Sequence, residues 1–490
     1  MGDHSTDGSG SWQQARGGAV RGARALVMRH LVVGVLSLAG TSFLVRRVPT
    51  AEWASYNIAY FLIAFMETTF SATFLARVVR DQRPLQTALL RSAAAFMVAV
   101  GAAAAGLLVL LSGPVTGAYG QPSLEPFLLA AAACAGVYAL RALPVAVLER
   151  RLDYRTIAIA EVADQVTFYA VAVPLLLGGR GYTGIVLGLA LRGVPSLLFL
   201  RWRLRVPLVG RWRRREGREL LGYAAPSSGA AALFLANGFV PAVVLGGANA
   251  TELAYMLTAG TIVGYLAIVQ VVVQRVSFPS FAALAPGVAR ATALARTVRL
   301  SVACVGAVLI PAGAFAPLWL PVLLGDGWEQ AAGPFTLIGG GLAANCVVGV
   351  VAAQLLADGD ARTPFRLQAL MTGSYVILAV AAAPIDPLLG PSAAFLASRL
   401  LGALWCARSA RSAARAGLLT ATAASVAATA AGLGGAVLIS QSLGWGCVAV
   451  IATSAAWLAA YREPLSRGVA LARDASGPHR TPSRVPDATD

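Results

Sequence analysis

The chain has 490 residues, 57% of them hydrophobic and only 12% charged, with a formal net charge of +17. Soluble domains usually carry about 25% charged residues, so a soluble globular protein is excluded. The apolar runs are about 20 residues long, matching a bilayer core about 30 Å thick, and are continuously apolar instead of alternating, which predicts membrane-crossing helices and not a β-barrel.

Residues 1–25 are polar, basic and rich in Gly and Ser, and predict a disordered cytoplasmic tail. The apolar run after them has full span length and no small-residue cleavage site follows it, so a cleaved signal peptide is not expected. Six spans are expected at residues 26–45, 52–75, 87–111, 126–148, 157–178 and 182–202. The segment 206–219 then forms the centre of a basic loop, and RWRLRVPLVGRWRRREGREL (201–220) carries eight arginines. Six more spans are expected at 220–246, 252–274, 298–323, 332–356, 367–384 and 387–407, and a last pair at 417–439 and 443–461. Residues 463–490 predict a second disordered cytoplasmic tail.

The expected fold class is therefore an all-α polytopic membrane protein of about 14 transmembrane helices. Residues 26–205 form an N-terminal six-helix lobe, 220–408 a C-terminal six-helix lobe related to it by a parallel pseudo-two-fold, and 409–462 the two additional helices. An echo between halves supports the repeat: LDYRT (152–156) follows span four and GDART (359–363) follows span ten.

All 39 basic residues are arginine, so arginine in place of lysine says little at any one site. Counted with the flanking helix ends, 33 arginines fall on the side of the two tails and the even-to-odd connections, three (Arg46, Arg47, Arg180) on the other side, and three (Arg141, Arg192, Arg399) inside spans. Cytoplasmic loops retain basic residues, which predicts a multi-pass protein of the cell membrane with both termini cytoplasmic. The basic loop is thus a topology signal that also meets anionic membrane lipids, and it is too short to hold a nucleic-acid-binding fold.

Charges at bilayer depth cost about 2.5–3.5 kcal/mol on insertion scales, so each needs a reason. Arg141 and Asp164 lie eleven and twelve residues from Leu152 on adjoining antiparallel spans, at one depth, and are candidates for a structural ion pair. Arg192 and Arg399 occupy the sixth helix of each half. Glu67, in METTFSATF (66–74), is a candidate for proton or sodium coupling or a buried partner for an arginine; Glu161 lies nearer the cytoplasmic end. Asn237, Gln270, Gln274, Asn345 and Gln354 suit inter-helix hydrogen bonds or sugar hydroxyls. Pro241 and Gly339 to Gly341 suit either bending or close packing. Cys134, Cys304, Cys346, Cys406 and Cys447 all fall in apolar runs without metal-ligand spacing. His4, His30 and His479 form no cluster, the outer loops are short, and no nucleotide-binding glycine loop is present, so neither an enzyme nor a cofactor is expected.

The residues ALPVAVLERRLDYRTIAIAEV (142–162), VSFPSFAAL (276–284) and LLADGDARTPFR (355–366) resemble the polysaccharide and lipid-linked oligosaccharide flippases of the multidrug/oligosaccharide-lipid/polysaccharide (MOP) exporter superfamily. The likeness runs from about residue 26 to residue 408, and the extra pair of spans resembles the fourteen-span members, which include peptidoglycan-precursor flippases. The resemblance implies two six-helix bundles around a cavity open to one side at a time, carrying a polyprenyl-pyrophosphate-linked oligosaccharide outward. Arg399, Arg192, Arg141, Arg275, Arg29 and Arg77 are then candidates to hold the pyrophosphate, with Arg29, Arg77 and Arg275 named through the resemblance alone. Glycosyltransferases or a polymerase of the same pathway become expected partners. The alternatives are an ion-coupled multidrug exporter of the same superfamily and a non-transporting scaffold of a polysaccharide assembly complex.

Overall fold

A computed structural model describes residues 32–80, 87–151, 153–204, 229, 232–246, 249–266, 287–358, 360, 362–410 and 412–466. Among these the chain is helical throughout, without a strand, and ten helices are long and apolar enough to cross a membrane. They correspond to the third to sixth and ninth to fourteenth expected spans.

In chain order the helices are α1 (Val32–Val45), α2 (Thr50–Arg80), α3 (Thr87–Tyr119), α4 (Leu124–Arg150) and α5 (Tyr154–Leu175), which runs on as a π turn over Leu176–Arg180. Then come α6 (Tyr182–Leu191), α7 (Val194–Leu204), α8 (Ala232–Leu245) and α9 (Ala250–Leu266). The second half continues with α10 (Val288–Ala314), α11 (Ala316–Leu324), α12 (Ala332–Ala357), α13 (Arg362–Ala382) and α14 (Leu389–Ser409). It ends with α15 (Ser412–Gln441) and α16 (Leu443–Ala460). The outer loop expected at 112–125 is mostly helix: α3 continues to Tyr119 with Pro114 inside it. A proline removes only one ladder bond, and this end of α3 is anchored by the Tyr119 hydroxyl, which donates to the Ala242 carbonyl at 2.6 Å.

Several expected spans are broken, each with a proline just beyond the break. The sixth breaks at Arg192–Gly193 before Pro195, the seventh at residues 237–239 before Pro241, and the ninth at Phe315 before Pro317. Each proline lacks the N–H that would complete the preceding turn, the standard cause of a sharp kink. At the first break Gly193 also lets the chain approach α4, since a Cβ there would stand 2.9 Å from Val137 Cγ1. Gly339 to Gly341, by contrast, lie within continuous α12, where added side chains would strike Leu309, Thr429 and Phe395 in turn. Close packing on three sides is their observed role.

The DYRT and DART echoes have a local explanation. Asp153 caps α5, accepting from Thr156 N (3.1 Å) and Thr156 Oγ1 (2.7 Å). Asp360 does the same for α13 with Thr363 N (3.0 Å) and Oγ1 (2.5 Å). Asp-x-x-Thr satisfies one of the orphan N–H groups at a helix start, so both halves begin the same element with the same cap.

One apolar core joins α2 to α6 with α9, α11 and the start of α12, and a second lies among α10, α12, α13, α14 and α15. The terminal pair packs on α10 and α12, with the Trp457 indole donating to the Ala303 carbonyl at 3.0 Å.

Candidate functional site

Helix direction gives the molecule two ends: one holds the arginine-rich connections, the other the short links α1–α2, α3–α4 and α11–α12. At the arginine-poor end the two halves are stitched together. Trp53 Nε1 donates to Thr258 Oγ1 at 2.9 Å, and Asn57 Nδ2 reaches the same oxygen at 3.2 Å. Arg46 Nε donates to the Leu323 carbonyl at 3.2 Å, its Nη2 to the Val322 carbonyl, and Ser42 Oγ to Leu323. These are the last carbonyls of α11, where a cation complements the helix dipole. Deeper in, Phe65 on α2 meets Phe239 at the break in α8, rings 5.8 Å apart.

A charged knot lies in the first half. Arg141, on α4, is 3% exposed and hydrogen-bonds through Nη1 to Asp164 Oδ2 on α5. Its Nη2 lies 3.4 Å from Glu67 Oε1 on α2 and 3.9 Å from Glu161 Oε1, one turn before Asp164. The Tyr138 ring, one turn back on α4, stands 5.3 Å from the guanidinium. Glu67 keeps a third of its side chain exposed, while Asp164 is buried. The knot therefore runs from an accessible carboxylate, through an arginine, to an enclosed one. Arg192 sits at the kink before Pro195, half-buried, 5.5 Å from the Tyr60 ring and within electrostatic reach of Glu67 and Asp164.

The second half differs. Arg399 sits midway along α14 and is 0% exposed. Its Nη1 lies 3.7 Å from Met371 Sδ, and the rings of Phe395 and Phe234 stand 4.7 and 5.7 Å from Cζ. Among the described residues, Nε and Nη2 have no hydrogen-bond partner. Further along, where α10 begins and α12 ends, Arg290 pairs with Asp358 beside a cavity of about 290 Å³ that Gln354, Thr363 and Trp405 also line. That cavity lies between the second half and α15, with Ala414 and Leu418 in its lining.

The remaining sequence candidates are placed only in part. Arg29 and Arg275 lie outside the described residues, as do Gln270 and Gln274. Arg77 lies on α2, its side chain outside that description. Asn237 is buried at the break in α8, its Nδ2 donating to the Leu233 and Phe234 carbonyls at 3.1 and 2.8 Å. Asn345 is buried in α12. Sequence reasoning missed Glu161 as a member of the knot, the aromatic neighbours of the arginines, and the whole seam. Helical spacing was the available signal: Glu161 with Asp164, Tyr138 with Arg141, Phe395 with Arg399, and Trp53 with Asn57 all lie three or four residues apart and share faces.

The profile of the family described as "polysaccharide biosynthesis protein" matches residues 43–333, more than half of the chain. No curated protein sequence matches significantly. Among solved structures, the lipid II flippase MurJ in an inward closed conformation superposes with a TM-score of 0.70 at 12% identity, covering 89% of this chain and 99% of that one. A MOP superfamily transporter from Pyrococcus furiosus gives 0.56 at 14% identity, covering 85% and 96%. An outward-facing multidrug resistance MATE transporter gives 0.57 at 16% identity, covering 84% and 96%. At such identities these likenesses carry the fold, and the profile carries the kinship. The protein belongs to the polysaccharide biosynthesis protein family, with the helical fold of the MOP superfamily.

Proposed function

We propose that the protein is a flippase that carries a polyprenyl-pyrophosphate-linked oligosaccharide from the cytoplasmic to the outer leaflet. The two halves, residues 26–205 and 220–408, rock about each other, with the arginine-rich end cytoplasmic. The single observation that carries this is the seam seen among the described residues: the halves are bonded through Ser42, Arg46, Trp53 and Asn57 at the arginine-poor end. A molecule sealed at that end admits its cargo from the other. The family's place in polysaccharide biosynthesis and the fold shared with a lipid II flippase support a glycan-bearing lipid as cargo.

In this mechanism the anionic headgroup enters between the halves while the polyprenyl tail stays in lipid. Arg192, at the kink, meets the diphosphate; Arg29, Arg77 and Arg275 are further candidates for it. Binding drives the switch only insofar as it favours one arrangement of the halves over the other. A membrane potential negative inside assists outward movement of an anion by about 2.3 kcal/mol per charge per 100 mV. Glycosyltransferases or a polymerase supply and consume the cargo.

Purified protein in liposomes is expected to move a fluorescent lipid-linked oligosaccharide to the opposite leaflet. Joining Asn57→Cys to Thr258→Cys with a short thiol crosslinker should stop it, and reduction should restore it. No movement in any condition would leave a scaffold; efflux of cationic dyes without lipid movement would leave a drug exporter.

A second reading concerns coupling. Glu67 is the member of the knot that a proton or sodium ion can reach, since it keeps a third of its side chain exposed. Transport by Glu67→Gln is expected to lose its dependence on proton or sodium gradients; an unchanged dependence removes Glu67 from that role.

A further inference from the structure

The guanidinium of Arg399 has one edge to spare. Nε and Nη2, the two nitrogens without hydrogen-bond partners, point their N–H groups the same way along that edge. This is the fork that meets two oxygens of a carboxylate or phosphate side by side. Nη1, on the other edge, already rests against Met371 Sδ. Among the described residues no carboxylate lies within ion-pair distance of Arg399, and its side chain has no contact with solvent. Unsatisfied donors and an uncompensated charge are both costly in such surroundings. A methionine or leucine at this position would relieve that cost, so a guanidinium here is better suited to a ligand than to stability.

Two phenyl rings stand beside the guanidinium, and they come from different helices. Phe395 lies one turn before Arg399 on the same helix, but Phe234 comes from α8. Phe234 precedes the break at residues 237–239, and Thr372 Oγ1 ties its turn to α13 through the Leu233 carbonyl at 3.2 Å. At and beyond the break, α8 meets the first half through Phe239 against Phe65, through the Ala242 carbonyl bonded to Tyr119, and through Ala242 and Leu245 packed with Ile58 and Leu124. Helix α8 therefore connects the first half to the ring beside Arg399.

We propose that Arg399 is a concealed oxyanion site that takes a phosphate or diphosphate group bidentately once α8 withdraws Phe234. This deepens the flippase reading and rests on it: the site would engage the headgroup during the transition between states, not on first entry. The same chemistry could be supplied by inorganic diphosphate, and the test separates the sources.

The full-length protein in nanodiscs is titrated with a polyprenyl diphosphate and, separately, with inorganic diphosphate, following the shift in unfolding temperature, and flipping is measured in liposomes. Arg399→Met is expected to unfold at a higher temperature than the parent without ligand, to bind the polyprenyl diphosphate about tenfold more weakly or worse, and to flip slowly. Arg399→Lys keeps the charge but not the fork, and should also bind weakly, which keeps the test available if the methionine variant fails to fold. Phe234→Ala should bind several-fold more tightly. Equal binding by parent, Arg399→Met and Arg399→Lys overturns the proposal, as does a Phe234→Ala variant with unchanged affinity. Flipping that is normal in Arg399→Met discards the site but keeps the flippase. Binding of inorganic diphosphate that depends on Arg399, in a protein that flips no lipid, keeps the site and discards the flippase.

Discussion

The two halves of this molecule each bury an arginine at mid-helix and treat it in opposite ways. Arg141 in the first half is surrounded by Asp164, Glu67 and Glu161. Arg399 in the second has two phenyl rings, a thioether and a vacant edge. Insertion into a bilayer is costly for either residue taken alone, so the difference lies in how the surrounding helices answer the charge. Neutralising carboxylates on two neighbouring helices make Arg141 a fastener between α2, α4 and α5. Aromatic faces attract the Arg399 cation weakly and leave its hydrogen-bonding capacity unused. A compensated arginine and an uncompensated one should respond to mutation with opposite signs.

The largest effect is expected at the fastener. Arg141→Ala leaves Asp164 buried without its counter-charge, and breaking such a pair typically costs about 3–5 kcal/mol. The variant should show a sharply lowered unfolding temperature or fail to accumulate. Restoring electroneutrality in Arg141→Met with Asp164→Leu should recover most of that loss; if the double variant is as unstable as the single one, the knot is not held by charge compensation. Arg399→Met sharpens the contrast by moving stability upward. Thermal unfolding of the three variants side by side would break the comparison if all moved in one direction.

A smaller effect is expected at the seam. Thr258→Val removes the acceptor shared by Trp53 and Asn57 and is expected to cost about 1–3 kcal/mol, since the buried Trp53 indole loses that partner while Asn57 keeps its bond to the Trp53 carbonyl. The loss should appear as a greater share of molecules open at the arginine-poor end, read by labelling a cysteine placed at Ala254, buried one turn before Thr258, with a membrane-impermeant thiol reagent. Unchanged labelling would place the closure elsewhere. Of the three arginines on that side, Arg46 has a stitching role that accounts for its place against the general charge bias.

The smallest effect concerns the helix caps the two halves share. Bonds from Thr363, first through its hydroxyl and then its backbone N–H, hold the Asp360 carboxyl below its ordinary range. A lowered carboxyl pKa means that the cap stabilises fully above the unfolded value, about 4, and is lost as pH falls through the folded one. Asp360→Ala should cost about 1 kcal/mol near neutral pH. Asp360→Asn should retain most of the cap and lose its acid sensitivity, measured by unfolding between pH 3 and 7.

Much of this was legible in one dimension. Span positions follow from apolar length, and the caps of α5 and α13 stand out as Asp-x-x-Thr ahead of an apolar run. The common depth of Arg141 and Asp164 follows from counting along two antiparallel helices. Glu161 was harder to place: its distance from the loop suggests the membrane boundary, while the long Arg141 side chain brings the guanidinium within reach of it. The extension of α3 through Pro114 was hidden for a related reason. Proline and glycine lower helix propensity, but a contact from Tyr119 to α8 outweighs a local preference.

The sequence by itself determined that this is a helical membrane protein whose charge is segregated to one side of its apolar runs. That follows because length and hydropathy of a single segment decide whether it crosses a bilayer, whatever its neighbours do. Only the tertiary structure decided which buried guanidinium is answered and which is left open, and which ends of the two halves are joined. Those outcomes depend on side chains from helices far apart in the chain, such as Phe234 with Arg399 and Asn57 with Thr258. No periodicity within one segment encodes how two of them face each other.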